Sequence, residues 1–369
     1  MLGPEIQFTD REYIVFEGKK LLYLAGTDYH RMSTNPVVLE AASEAVKKYG
    51  LNPTGSRSTT GNHTIIAHLE KKVAEFFATE AAVVLPSGYL SNSTLLQCIA
   101  TDYDVLLLDE KAHPSLVDAA NQVMNRSGHK IYRFRHVDSQ DLEEQLEKNI
   151  SPGSKPLIMT DGVFPANGDI PPLKEYIQVI GNYGGKVLLD DAHAMAIVGK
   201  SGKGSWEEKG IDREFVFQTG TLSKGFGTFG GTITGENELI DHIYEKSSAF
   251  VGSTGLALPL AAAAISSISY LTLNPDLITG LQERTKSLKM KFRDLGFEMP
   301  DTSVPIFSIT FQKAEKNQRL KKKLIENGIY PPFIIYPGSP PEGHFRLIIT
   351  SLTTTEQIDL LIESIKSVV

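Results

Sequence analysis

Cysteine is almost missing from this chain: Cys98 is the only one in 369 residues. One thiol excludes an intrachain disulfide and suits a reducing compartment. A surplus of positive charge is missing too. Lys and Arg number 37 against 44 Asp and Glu, a formal charge of −7, which argues against nucleic acid as a partner. It still leaves room for a local basic pocket around a phosphate. Long apolar runs are absent. The longest mild one, Leu256 to Ile265, falls far short of the ~17–25 residues of a membrane helix. The start, Met1-Leu2-Gly3-Pro4-Glu5, has neither the basic region nor the apolar core of a signal peptide. A cytoplasmic protein without membrane contact is therefore expected. Internal repeats and low-complexity segments are lacking as well.

What is present is ordinary for an enzyme, 41% hydrophobic and 22% charged residues, in a chain long enough for a large core and two domains. Short apolar runs recur at Ala81–Leu85, Asp104–Leu108, Leu157–Thr160, Val187–Asp190, Phe215–Thr219 and Gly231–Thr234. Unbroken runs of this length read as strands buried on both faces, the mark of a mostly parallel sheet. Helical spacing separates many of them, as in Ile65–Phe77, Asp141–Asn149 and Leu173–Tyr183. The class expected is α/β: an N-terminal segment over 1–50, a large domain over 51–274, and a smaller α+β domain over 275–369. The N-terminal segment carries a helix over Pro36–Tyr49, capped by Asn35 and stopped by Gly50. The C-terminal domain reads as helix, strand, helix, strand, helix. In it Leu320-Lys321-Lys322-Lys323-Leu324 is expected to be a solvated helix face.

Lys224, in Gly220-Thr221-Leu222-Ser223-Lys224-Gly225-Phe226-Gly227, is the most informative residue. Asp190-Asp191-Ala192-His193 closes an apolar run upstream, and His113 follows another, Val105-Leu106-Leu107-Leu108-Asp109. A lysine can condense with an aldehyde. A carboxylate can pair with a protonated pyridine nitrogen, and an imidazole can stack on a flat ring. These are the needs of pyridoxal 5′-phosphate (PLP). Each piece has a plainer reading: a solvated loop lysine, a structural histidine, or a metal-binding Asp-Asp-Ala-His. Gly199-Lys200-Ser201-Gly202-Lys203-Gly204 mimics a phosphate loop but lacks a hydroxyl residue after Lys203.

Taken in order, the motifs resemble the α-oxoamine synthases, a family of fold-type I PLP enzymes. The resemblance rests on Asp28-Tyr29, Gly55-Ser56-Arg57 with His68-Leu69-Glu70, Ser87-Gly88-Tyr89 with Asn92, and Asp109 with His113-Pro114-Ser115. It continues through Thr160-Asp161-Gly162-Val163-Phe164, Gly168-Asp169, Asp190-Asp191-Ala192-His193, Thr219 to Lys224, and Phe345-Arg346-Leu347. It spans nearly the whole chain. The resemblance implies the aspartate aminotransferase-like fold and PLP as cofactor. It makes Lys224, His113, Asp190 and His193 the catalytic residues. Gly88, Tyr89 and Thr221 would hold the phosphate, Asp161 would belong to the cofactor site, and Arg346 would grip a substrate carboxylate. Ser253 and Thr254 would reach the phosphate of a neighbouring subunit, which makes a homodimer with shared active sites. The implied reaction joins a small amino acid, alanine first, to an acyl-CoA thioester. No metal is implied.

Departures surround the substrate rather than the lysine. A serine of the family pattern is Pro165 here, an asparagine is Thr27, and a histidine after the last strand is replaced within Ser351-Leu352-Thr353-Thr354. Less of the N-terminal helix precedes the first strand than in many relatives. Amino-group transfer on the same cofactor stays open on these grounds, as does a non-catalytic cofactor-binding protein.

Overall fold

Strands form where branched and aliphatic residues run without interruption. The computed structural model describes residues 3–335 and 342–369. Strands β1 (Gln7–Phe8), β2 (Tyr13–Phe16) and β3 (Lys19–Leu22) make an antiparallel meander before the Pro36–Tyr49 helix. Seven strands make the central sheet: β4 (Ala81–Leu85), β5 (Val105–Asp109), β6 (Ile131–Phe134), β7 (Pro156–Asp161), β8 (Lys186–Asp190), β9 (Val216–Thr221) and β10 (Gly231–Gly235). Their spatial order is β4-β10-β9-β8-β7-β5-β6. Pairs from β9 through β6 are parallel, while β10 runs antiparallel to both neighbours. All residues of β5 and β7 are buried, as expected for strands covered by helices on both faces. A third sheet, β11 (Ile306–Ile309), β12 (Phe333–Ile334) and β13 (His344–Ile348), has order β11-β13-β12.

Polar caps at the strand-to-helix turns decide where helices begin, and several caps are also site residues. Asn35 accepts from the Val37 N–H at 3.0 Å ahead of Pro36. Ser87 accepts from the Tyr89 N–H at 3.2 Å and opens the helix Gly88–Ile99. His113 Nδ1 accepts from the Ser115 N–H at 3.2 Å and opens Pro114–Ser127. The meander's last strand and the segment after it pack against the C-terminal sheet: Leu22, Leu24 and Tyr29 share a core with Phe307, Phe345 and Leu347.

Strand β13 begins at His344, so Arg346 lies inside the strand. The strand starts early because β12 pairs with Phe345 and His344. Most of the Leu256–Ile265 stretch, from Leu258 on, belongs to a longer helix, Leu258–Leu273, with Pro259 in its first turn.

Candidate active site

Strands β7 and β8 end side by side, with Asp161 in register with Asp190. Thr221 ends β9, and the next turn carries Lys224. Since β10 reverses direction, β4 ends on the same edge, and Ser87 and Gly88 follow it. The loop after β5 brings His113. Five connections far apart in sequence thus meet at the carboxyl ends of parallel strands, where open α/β sheets bind ligands. Gly88, Tyr89, His113, Asp161, Asp190, His193, Thr221 and Lys224 all line one cavity of about 130 Å³. The structure brings these eight predicted residues together.

Buried hydrogen bonds set Asp190. Its Oδ2 accepts from Asn92 Nδ2 at 2.7 Å and from Ser115 Oγ at 3.4 Å, and its Oδ1 from the Ala192 N–H at 3.1 Å. Asn92 also donates to Ser115 Oγ at 2.9 Å and accepts from Thr219 Oγ1 at 2.6 Å. Asp161 Oδ2 accepts the His113 N–H at 2.7 Å, which ties the His113 loop to β7. Asp191, next in sequence, turns the other way and is bonded to Ser205 Oγ at 2.5 Å and Gln218 Nε2 at 2.7 Å. Burial pushes its carboxyl up to about 6. The Asp-Asp pair therefore splits into one site residue and one structural residue. Among the described residues no cluster of three or more His, Cys, Asp or Glu is placed to hold a metal ion.

A second cavity of about 270 Å³ adjoins the first and shares His113, His193 and Lys224 with it. Arg346 lines it from β13, and Arg346 Nε donates to the Pro165 carbonyl at 2.6 Å. Pro165, which supplies no hydroxyl, thus contributes an acceptor that aims the guanidinium. Tyr29 is fully buried and its hydroxyl lies 2.8 Å from His193 Nδ1.

The charges are mutually consistent. Burial lowers the Lys224 ammonium below its ordinary range, against the attraction of Asp190 and Asp161. Burial, and then the Asp190 charge, holds the Asp161 carboxyl well above the usual range. Burial, reinforced by Lys224, Arg346 and His113, holds His193 far below the ordinary imidazole value. His113 is lowered mainly by burial. The site therefore holds neutral imidazoles and a lysine that gives up its proton readily.

Two predicted residues lie elsewhere. Ser253 is half-buried and Thr254 exposed, and neither lines either cavity of their own chain. Thr254 instead bridges to Ser56, whose hydroxyl donates to the Val251 carbonyl at 2.6 Å. The Gly199–Gly204 mimic is a turn around Glu207, which accepts from the N–H groups of Ser201 and Lys203, both at 3.0 Å. Site residues that went unassigned in the sequence are Ser115, Asn92 and Tyr29, although the motifs contained them. Ser223, also inside a quoted motif, was given no role; its hydroxyl is 2.7 Å from Thr221 Oγ1. A hydroxyl two residues from Thr221 was the available signal.

The residues present fit PLP. A Cβ on Gly88 would sit 2.7 Å from Thr221 Cβ, so the first helical turn rests against the Thr221 hydroxyl and only glycine permits it. The pair makes an anion cradle of helix N–H groups and hydroxyls. A Cβ on Gly225 would meet the Met195 carbonyl at 2.3 Å, so the turn bearing Lys224 is pressed onto its support.

The model of the family described as "Aminotransferase class I and II" matches residues 19–365. The chain belongs to that family. Among curated members it is 34% identical to 8-amino-7-oxononanoate synthase 1 of Bacillus velezensis, over 95% of this chain and 89% of that one. The 8-amino-7-oxononanoate synthase of Thermosipho melanesiensis is 32% identical over 96% and 90%. Among solved structures, a variant of serine palmitoyltransferase from S. paucimobilis with a bound PLP–myriocin aldimine superposes with a TM-score of 0.89. It is 26% identical and covers 99% of this chain and 92% of its own. These relatives bear out the expected fold and the resemblance to the α-oxoamine synthases.

Proposed function

We propose that this protein is a PLP-dependent acyltransferase that condenses a small amino acid, alanine first, with an acyl-CoA thioester, as an 8-amino-7-oxononanoate synthase does. One observation carries the reading. Lys224, Asp190, His113 and His193 surround one cavity, and it opens into a second that holds Arg346. When bound, PLP supplies an aldehyde and an electron-withdrawing ring that acidifies the α-carbon of an attached amino acid.

The protein groups do the rest. The N–H groups of Gly88 and Tyr89 and the Thr221 hydroxyl hold the phosphate. Asp190, fixed by Asn92 and Ser115, would keep the proton on the ring nitrogen. His113, its loop held by Asp161, would cover the ring, and His193 would donate to the phenolic oxygen. Lys224 would anchor the cofactor through its amine and hold the α-carbon proton, a task suited to an amine that releases its proton easily. The Nη end of Arg346 takes the substrate carboxylate. Ser253 and Thr254, lying outside the cavities of their own chain, serve the site of a partner subunit, so the working form is a homodimer. A cytoplasmic location suits an enzyme with a single buried thiol.

Purified enzyme supplied with alanine, glycine or serine and a set of acyl-CoA chains should release free thiol. Preference for glycine would move the assignment to a 2-amino-3-ketobutyrate CoA ligase. No thiol with any pair, together with turnover of an amino donor against a keto acid, would replace acyl transfer by amino-group transfer.

A further inference from the structure

The second cavity is walled mainly by apolar groups, among them Pro165, Ala166 and Ile334. Besides Arg346, β13 sends His344 into it. The two are separated by one residue, and alternate residues of a strand share a face. Their situations differ. Arg346 already has a partner in the Pro165 carbonyl. His344 is only 2% exposed, yet neither Nδ1 nor Nε2 has a hydrogen-bond partner among the described residues. Its backbone is also held closely. A Cβ on the preceding Gly343, at φ +79°, would meet the Phe333 ring at 2.5 Å and the Ile334 carbonyl at 2.9 Å. Buried polar atoms in folded proteins are almost always paired, so two unpaired nitrogens on the ring of a residue that lines the cavity call for a partner that the described residues do not supply.

We propose that His344 is a specificity-determining residue, which donates a hydrogen bond to a substrate oxygen other than those of the carboxylate held by Arg346. The proposal rests on the condensation reading given above. Burial, and then the Arg346 charge, holds the imidazole below its ordinary pKa. The ring therefore meets substrate as a neutral group with one N–H and one lone pair. It discriminates by hydrogen bonding, and a site built to bond an oxygen rejects an analogue that lacks it. Two parts of the substrates could carry that oxygen: a side-chain hydroxyl on the amino acid, or a polar group at the far end of the acyl chain.

The test uses PLP-loaded wild type, His344→Phe and His344→Asn. The first arm compares serine with alanine at one acyl-CoA. The second compares acyl-CoA chains of equal length, ending in a carboxylate or in a methyl, at one amino acid. In His344→Phe, kcat/KM should fall roughly 5–50-fold for the oxygen-bearing member of one arm only, through KM, on the scale of one neutral hydrogen bond. The other three substrates should change little. His344→Asn, which keeps a donor and an acceptor, should retain most of the preference and guards against a folding artefact in the phenylalanine variant. Equal losses on all substrates, or no loss in either arm, would overturn the proposal. Binding is read separately, from the visible absorption change on adding each amino acid and from calorimetry with each acyl-CoA. If the wild type releases no thiol at all, the condensation reading fails. The ratio of dissociation constants within each pair then still decides the role of His344.

Discussion

Lys289 and His136 should impose opposite pH slopes on folding stability, so that removing one exposes the other. Lys289 is 1% exposed, and its Nζ donates to Thr302 Oγ1 at 2.8 Å. Burial pushes it down to about 7, with Asp169 pulling the other way. His136 lies 3.1 Å from Asp109 Oδ1 and 3.9 Å from Asp169 Oδ2. Burial disfavours its charge, but the bonds to Asp109 and Asp169 outweigh this and raise it to about 9. Between pH 7 and ~10.4 the unfolded chain holds a proton at Lys289 that the native state has shed, so stability rises with pH. For His136 the native state holds a proton that the unfolded chain loses near ~6.5. That stabilisation is complete below pH ~6.5 and lost as pH rises through 9. At ~1.36 kcal/mol per pKa unit, the lysine effect amounts to about 4 kcal/mol between pH 7 and 10. The histidine effect is about 2 kcal/mol once its partial exposure is discounted. Urea unfolding of Lys289→Met and wild type should therefore show the variant gaining most at pH 6.5 and losing that advantage by pH 10. A difference that stays constant with pH would refute the burial argument. His136→Gln should do the reverse: its deficit should be largest near pH 6.5 and shrink towards pH 9.

Asn92→Ala removes the 2.7 Å donor to Asp190 and strands Thr219; unfolding should show a loss of ~2–4 kcal/mol, and PLP should be held more weakly in dialysis. Tyr29→Phe takes away the partner of His193 Nδ1; the rate should fall ~10-fold with a shift in the visible absorption of the loaded enzyme, and an unchanged spectrum would speak against contact between His193 and the cofactor. Borohydride reduction of loaded enzyme followed by peptide mapping should place the label on Lys224 alone. Mixing Lys224→Ala subunits with Ser253→Ala/Thr254→Ala subunits should restore activity, because half the sites of a mixed dimer carry neither lesion; no recovery after verified subunit exchange would mean that each site is built within one chain.

Much of this was legible in the sequence because the parallel strands are apolar throughout and end in chemistry-bearing residues. Asp190, His113 and Thr221 each follow such a run, so a strand-by-strand reading sets them on one edge. Leu320-Lys321-Lys322-Lys323-Leu324 also behaves as periodicity implies, with Leu320 and Leu324 fully buried in the helix Ala314–Glu326. Other features escaped because they depend on distant partners. Nothing local says that Asp191 faces Gln218 while Asp190 faces Asn92. The use of Pro165 for its carbonyl is invisible until β13 is seen to bring Arg346 against it. The short strands Gln7–Phe8 and Phe333–Ile334 have too few residues for any periodicity; their pairing with β2 and β13 defines them.

The position of β4 bears on how the chain is made. Among the described residues its only ladder partner is β10, in which Gly231 pairs with Leu85. A ribosome adding ~5–20 residues per second needs roughly 7–30 s to travel from one to the other. During that interval β4 and the Ser87–Tyr89 turn have no sheet to join, and the Thr221 hydroxyl that packs on Gly88 does not yet exist. The phosphate cradle thus closes only after β9 and β10 have been made, across a long-range contact of the kind that slows folding. Cofactor capture follows synthesis of the central sheet instead of guiding it, and until then the apolar Ala81–Leu85 strand waits for its ladder partner.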